Sequence, residues 1–169
     1  MINEAEYWRK DIGNIARKLA NRANQKKWFK RSEFAFEKEI FIAFFSIRKI
    51  IESKKISTYA LSHIVELYEI PLPSDLRELV GKADILRLYD IKKSKKTSLK
   101  IEIVCNQFIH SYIFRPYRPS NKLLGIFVSS DRERQRCLYY ISMGNIIDML
   151  ILVSTNPINK SQKLKTFNQ

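Results

Sequence analysis

In the stretch IEIVCNQFIHSYIFRPYRP, Asn106 and His110 stand one helical turn apart. On a helix, residues at i and i+4 share a face, with Cβ atoms about 5–6 Å apart. An imidazole titrates near neutrality, so His110 has the chemistry of a general base, and the Asn106 amide can orient a polar group beside it. The same pair can serve a core instead, each polar side chain satisfying the other. Leu99 and Ile103 continue that face, which predicts at least partial burial. The only other histidine, His63, has Glu66 at i+3, a spacing common to solvated surface pairs.

CNQFIHS, late in a run of helical patterns, resembles the signature of the HEPN ribonuclease superfamily. That signature is an arginine, four to six residues, then a histidine, with a polar residue often following the arginine. The resemblance spans about residues 33–114, with Asn106 at the polar position and His110 at the histidine. It implies a helical domain acting as a homodimer, whose paired motifs form a metal-independent RNA-cleaving site. It also implies a bacterial defence or toxin–antitoxin setting. Cys105 stands where the family has arginine, and no arginine lies between Arg87 and His110. A neutral thiol cannot replace a bidentate cation on a phosphate. The resemblance therefore implies a catalytically inactive or weak member, unless Arg115 or Arg118 reaches the phosphate from the next segment.

Charge points to the same class of partner. The chain of 169 residues holds 31 Lys and Arg against 17 Asp and Glu, a net charge of +14. Such a surface attracts polyanions. The density peaks between Arg9 and Arg31, where Arg9, Lys10, Arg17, Lys18, Arg22, Lys26, Lys27, Lys30 and Arg31 face one acid, Asp11. Lys95 and Lys96 in KKSKK form a second patch. In SSDRERQRCLYY, Arg132, Arg134 and Arg136 share one side of an extended run, with Tyr139 and Tyr140 beside them. Such a group can grip a phosphate backbone and stack a base, or be an ordinary charged turn balanced by Asp131 and Glu133.

Other chemistries lack their residues. There is no glycine-rich phosphate loop and no nucleophile elbow, and Cys105 and Cys137 lack zinc-site spacing, so no metal or cofactor is expected. The N-terminus has no signal-peptide core, and IFIAFF and IIDMLILV are too short to span a bilayer. A cytoplasmic protein without membrane contact is expected.

These residues need elements to carry them. Ile12, Ile15, Ala16, Leu19 and Ala23 predict an amphipathic helix over 5–24. Ser32 is expected to cap a second, central helix striped by Phe36, Ile40, Phe44, Ile47 and Ile51, flanked by Phe34 and Phe45. Further helices are predicted from Ser57 to Tyr68, from Ser74 through Leu79, Val80, Ala83 and Leu86, and over 99–114 until Pro116 stops the last. IKKSKKTS reads as a basic loop, LLGIFVSS and RCLYYIS as an antiparallel hairpin, and MGNIIDMLILV as a closing helix.

The resulting expectation is a mainly α, α+β chain: a four- to five-helix bundle, a hairpin at about 123–142 and a closing helix. Residues 1–153 form one domain and 154–169 a polar basic tail. The leading functional reading is a basic HEPN-like module that associates with nucleic acid, RNA before DNA. The alternatives are a metal-independent ribonuclease with His110 as base, Asn106 orienting substrate and Arg115 on phosphate, and a structural subunit docked on an acidic protein.

Overall fold

The computed structural model describes residues 4–79 and 88–157. Its centre is a five-stranded antiparallel sheet: β1 (Ile64–Pro71), β2 (Lys95–Lys100), β3 (Ser111–Tyr117), β4 (Gly125–Ser130) and β5 (Cys137–Ser142), in the order β2-β1-β5-β4-β3. Five α-helices are present among the described residues: α1 (Ala5–Ala23), α2 (Lys30–Glu52), α3 (Thr58–Leu61), α4 (Ile101–Ile109) and α5 (Met143–Thr155). The expected helical bundle is thus corrected to an α+β fold built on a sheet. The predicted hairpin, β4–β5, is an interior part of that sheet rather than an appendage.

Each departure has a local cause. Ser57 does cap a helix, its Oγ accepting from the Ala60 amide at 3.1 Å, but α3 ends at Leu61. Beyond it, IVELYEIP fits a helical stripe and a period-two alternation alike. Pairing with β2 and β5 selects the alternation, burying Val65 and Leu67 on one face and Ile70 on the other. The predicted basic loop supplies β2, a lysine-rich strand at the sheet edge, where charge discourages pairing with another chain.

The run over 99–114 divides. Leu99 and Lys100 end β2, Ile101–Ile109 forms α4, His110 is its C-cap, and Ser111 begins β3. Pro116 lies within β3, an edge strand, where a missing amide costs least. Ser74–Leu79 is a 3-10 turn, and Val80, Ala83 and Leu86 of that predicted helix lie outside the described residues. The expected tail gives up Ser154 and Thr155 to α5, and 158–169 lie outside the described residues.

Helices α1, α2, α4 and α5 contribute to a core on one face of the sheet, with Ile12, Leu19, Phe36, Phe44, Phe108 and Leu150 among the residues sealed inside. The Phe44 and Phe108 rings stack 3.8 Å apart between α2 and α4. Helix α2 buries a single face: Phe34, Ile42 and Phe45 are exposed, so it is less enclosed than its composition predicts. On the opposite face of the sheet, a smaller cluster of Leu72, Leu88 and Tyr89 over Ile70, Ile113, Phe127 and Leu138 covers one end. Towards the other end Ile64 and Tyr68 remain exposed.

Candidate nucleic-acid interface

The Asn106–His110 stretch proves to be a clasp between α4 and the β4–β5 hairpin. Its buried polar residue is Gln107, whose Oε1 accepts from the Ser130 amide at 3.0 Å. The Asp131 amide donates to the His110 carbonyl at 3.0 Å. The expected mutual pair does not form its side-chain bond. Asn106 is half-buried and its Oδ1 accepts from Arg48 Nη1 of α2 at 2.9 Å, whereas the His110 side chain is exposed. Helix α4 ends at Ile109, so His110 turns away as a cap instead of continuing the helical face.

Arg48 brings a guanidinium beside Asn106, whose chain neighbour Cys105 is a fully buried thiol. It arrives already paired, at 2.9 Å to Glu52 and 3.2 Å to Glu102. The hydrogen bond to Glu52 raises the Arg48 pKa, and the bonds from Arg48 and Lys49 lower that of Glu52. Arg115 is not brought to this site. It pairs with Phe127 across β3–β4, on the sheet face away from α4.

The basic residues divide by whether an acid already holds them. In the hairpin, Arg134 pairs with Asp131 at 2.8 Å and lies 3.9 Å over the Tyr112 ring. Arg136 pairs with Glu133 at 2.6 Å and Glu69 at 3.1 Å, and donates to the Tyr139 hydroxyl at 2.8 Å. Arg132 is exposed and has no acid partner among the described residues. Arg134 and Arg136 therefore present little uncompensated charge, and Arg132 alone of the three is uncommitted.

The α1–α2 surface is different. Arg22 is held by Glu39 in a bidentate pair at 2.7 and 3.1 Å, and Arg9 donates to the Lys55 carbonyl at 3.3 Å. Lys10, Arg17, Lys18, Lys26, Lys27, Lys30 and Arg31 are all exposed, and none forms an ion pair among the described residues. Arg17 bonds only a neutral neighbour, Asn14. The connector carrying Lys26 and Lys27, with Lys30 and Arg31 opening α2 directly after it, is fixed by Trp28, whose Nε1 donates to the Gln25 and Asn121 carbonyls, both at 3.2 Å. The Trp28 ring packs edge-on against Phe36 and under the Arg118 guanidinium, while Phe29 stays exposed.

A second surface was not found by reading the sequence. On the sheet face away from the helices, cross-strand partners line up over all five strands: Arg115 with Phe127, Phe127 with Tyr140, Tyr140 with Tyr68, and Tyr68 with Lys96. Tyr117 joins the row, its ring 5.8 Å from Tyr140 and 5.4 Å from Phe127. Tyr68 and Tyr140 lie 6.4 Å apart. Gly125 makes room for this row, since a Cβ there would meet the Ile141 carbonyl and the Tyr140 ring, each at 2.5 Å. Burial raises the Tyr140 pKa, with the neighbouring Tyr117 and Tyr68 adding to it.

Beside Tyr68 and Tyr140 opens a cleft of about 270 Å³. Lys96 lines it, paired with Glu66 at 2.9 Å, and Asn145 donates to the Glu66 carbonyl at 2.7 Å. Of the adjacent tyrosines singled out by sequence, Tyr140 belongs to this face, whereas Tyr139 is buried on the helix side. The signal that would have found the row was the alternation in IVELYEIP, obscured by its equal fit to a helix.

No family model, curated protein or solved structure matches this chain. Among the described residues no group of three or more His, Cys, Asp or Glu is placed to hold a metal ion, and no helix is long and apolar enough to cross a membrane.

Proposed function

We propose that this chain is a nucleic-acid-associated module, taking RNA before DNA, that binds through the basic surface of α1 and the α1–α2 connector. The observation that carries this reading is the separation of cations into two classes. Arg134, Arg136 and Arg48 are committed to carboxylates, whereas Lys10, Arg17, Lys18, Lys26, Lys27, Lys30 and Arg31 face solvent without one among the described residues. Cations without an internal partner are those that release counterions on meeting a phosphate backbone.

The geometry favours association over cleavage. His110 is exposed, but Arg48, the cation nearest Asn106, is neutralised, and Arg115 occupies the other face of the sheet. A defence or toxin–antitoxin setting and a homodimer rest on the CNQFIHS resemblance alone.

The test is a salt titration of binding to RNA. Each phosphate contact on a single strand contributes a slope of about −0.7 in log K against log salt. Replacing Lys26, Lys27, Lys30 and Arg31 by Gln is expected to flatten that slope by up to roughly 3, four contacts at that increment. Replacing Arg134 and Arg136 is expected to change it little. Wild-type affinity that does not respond to salt would remove the reading.

A further inference from the structure

The unclaimed feature of this molecule is the transverse row on the open sheet face. Its composition is unusual for a solvent-facing surface. Tyr68 is 45% exposed and Tyr117 39% exposed, and Tyr140 lies between them. The β2 edge supplies Lys96 and the β3 edge supplies Arg115, so a cation stands at each end of an aromatic centre.

We propose that this row is a base-stacking platform for single-stranded RNA, an inference that rests on the nucleic-acid reading above and assigns it a second, chemically distinct surface. Aromatic rings on an accessible sheet face take up unstacked bases whatever their sequence, because every base has a π-face. Tyr117 and Tyr68 supply the outer two rings, and Tyr140 holds them in place from between. Arg115, exposed and without an ion pair among the described residues, meets a phosphate at the β3 end, while Lys96 stays paired with Glu66 at the β2 end.

The one acid in the cleft, Glu66, is neutralised by Lys96, so the site carries no net negative charge to repel a polyanion. Ser142 and Asn145 border the cleft and offer hydrogen bonds to a 2′-hydroxyl, which selects RNA over DNA. A duplex is a poor occupant, since its bases are already stacked on one another.

The row is also continuous with the proposed basic surface. Tyr117 is followed directly by Arg118–Asn121, the segment that Trp28 of the connector grips through the Asn121 carbonyl and the Arg118 guanidinium. A strand leaving the platform over the β3 edge runs onto Lys26–Arg31.

The experiment is fluorescence anisotropy on the full chain at fixed salt. The probes are a short mixed-sequence single-stranded RNA, the same RNA annealed into a duplex, and single-stranded DNA of the same sequence. Tyr68→Ala and Tyr117→Ala change exposed side chains, and unchanged thermal melting certifies that each is folded. Each is expected to weaken single-stranded RNA binding about tenfold or more, the scale of one base–aromatic stack, while leaving the salt slope unchanged. Tyr68→Phe is expected to retain affinity, since the ring survives.

Two folded alanine variants that bind single-stranded RNA as wild type does would overturn the platform while leaving the charge-based reading standing. Wild-type protein that binds none of the three probes would overturn both. Equal affinity for DNA and RNA would overturn the 2′-hydroxyl contact and the choice of RNA as occupant.

Discussion

Gln107→Leu tests whether the CNQFIHS stretch acts as a clasp. Gln107 is 5% exposed, and its Oε1 accepts from the amide of Ser130, itself 5% exposed. Leucine nearly preserves the volume but removes the acceptor, leaving a buried N–H without a partner. That costs about 1–3 kcal/mol, of which lost packing is a small part. In a chain of this size, about 2 kcal/mol lowers the melting temperature by roughly 4–8 °C. Asn106→Ala is the internal comparison. Its bond to Arg48 is half-exposed, Arg48 keeps Glu52 and Glu102, and water replaces the amide, so the expected loss is below about 1 kcal/mol. Both variants are measured by urea and thermal unfolding. Gln107→Leu melting with wild type, or Asn106→Ala proving the more costly, would refute the reasoning and return attention to Asn106 as the polar centre of the motif.

Phe44→Ala removes a fully buried ring stacked on Phe108 and is expected to cost about 3–5 kcal/mol, read from urea unfolding. Cys105 and Cys137 are fully buried, and burial pushes the Cys137 thiol up to about 11 and raises Cys105 as well, so neither should react with a thiol reagent at neutral pH until the protein unfolds. In an alkaline titration followed by tyrosinate absorbance, Tyr89, Tyr139 and Tyr140 are expected to ionise above the ordinary tyrosine range, Tyr89 near 12, because burial disfavours the phenolate. The folded state then binds more protons than the unfolded one, so this stability is complete below pH 10 and declines as pH rises towards 12. A single transition shared by all the tyrosines would contradict that burial.

The individual segments were legible to different degrees. Helix α1 follows from one unambiguous stripe, and β4 and β5 from short runs rich in β-branched and aromatic residues bounded by the DRERQ turn. The run over 99–114 was ambiguous by periodicity, and the structure uses both readings, helix to Ile109 and strand from Ser111. For the site, composition located the cation density but not which cations were free. Arg22 meets Glu39 and Arg118 meets Glu33 across separations of 17 and 85 residues.

What the sequence determined by itself was therefore local: the amphipathic helices, the excess positive charge, and the absence of familiar phosphate-loop and zinc motifs. These depend on residue type and short-range spacing, which are written along the chain. What tertiary structure alone decided was which strands are neighbours and what their side chains meet. Period-two alternation says that a strand has two faces, but not which strand lies beside it. The order β2-β1-β5-β4-β3 draws residues from 68 to 140 into one transverse row, because inter-strand pairing, rather than chain order, sets which side chains share a surface.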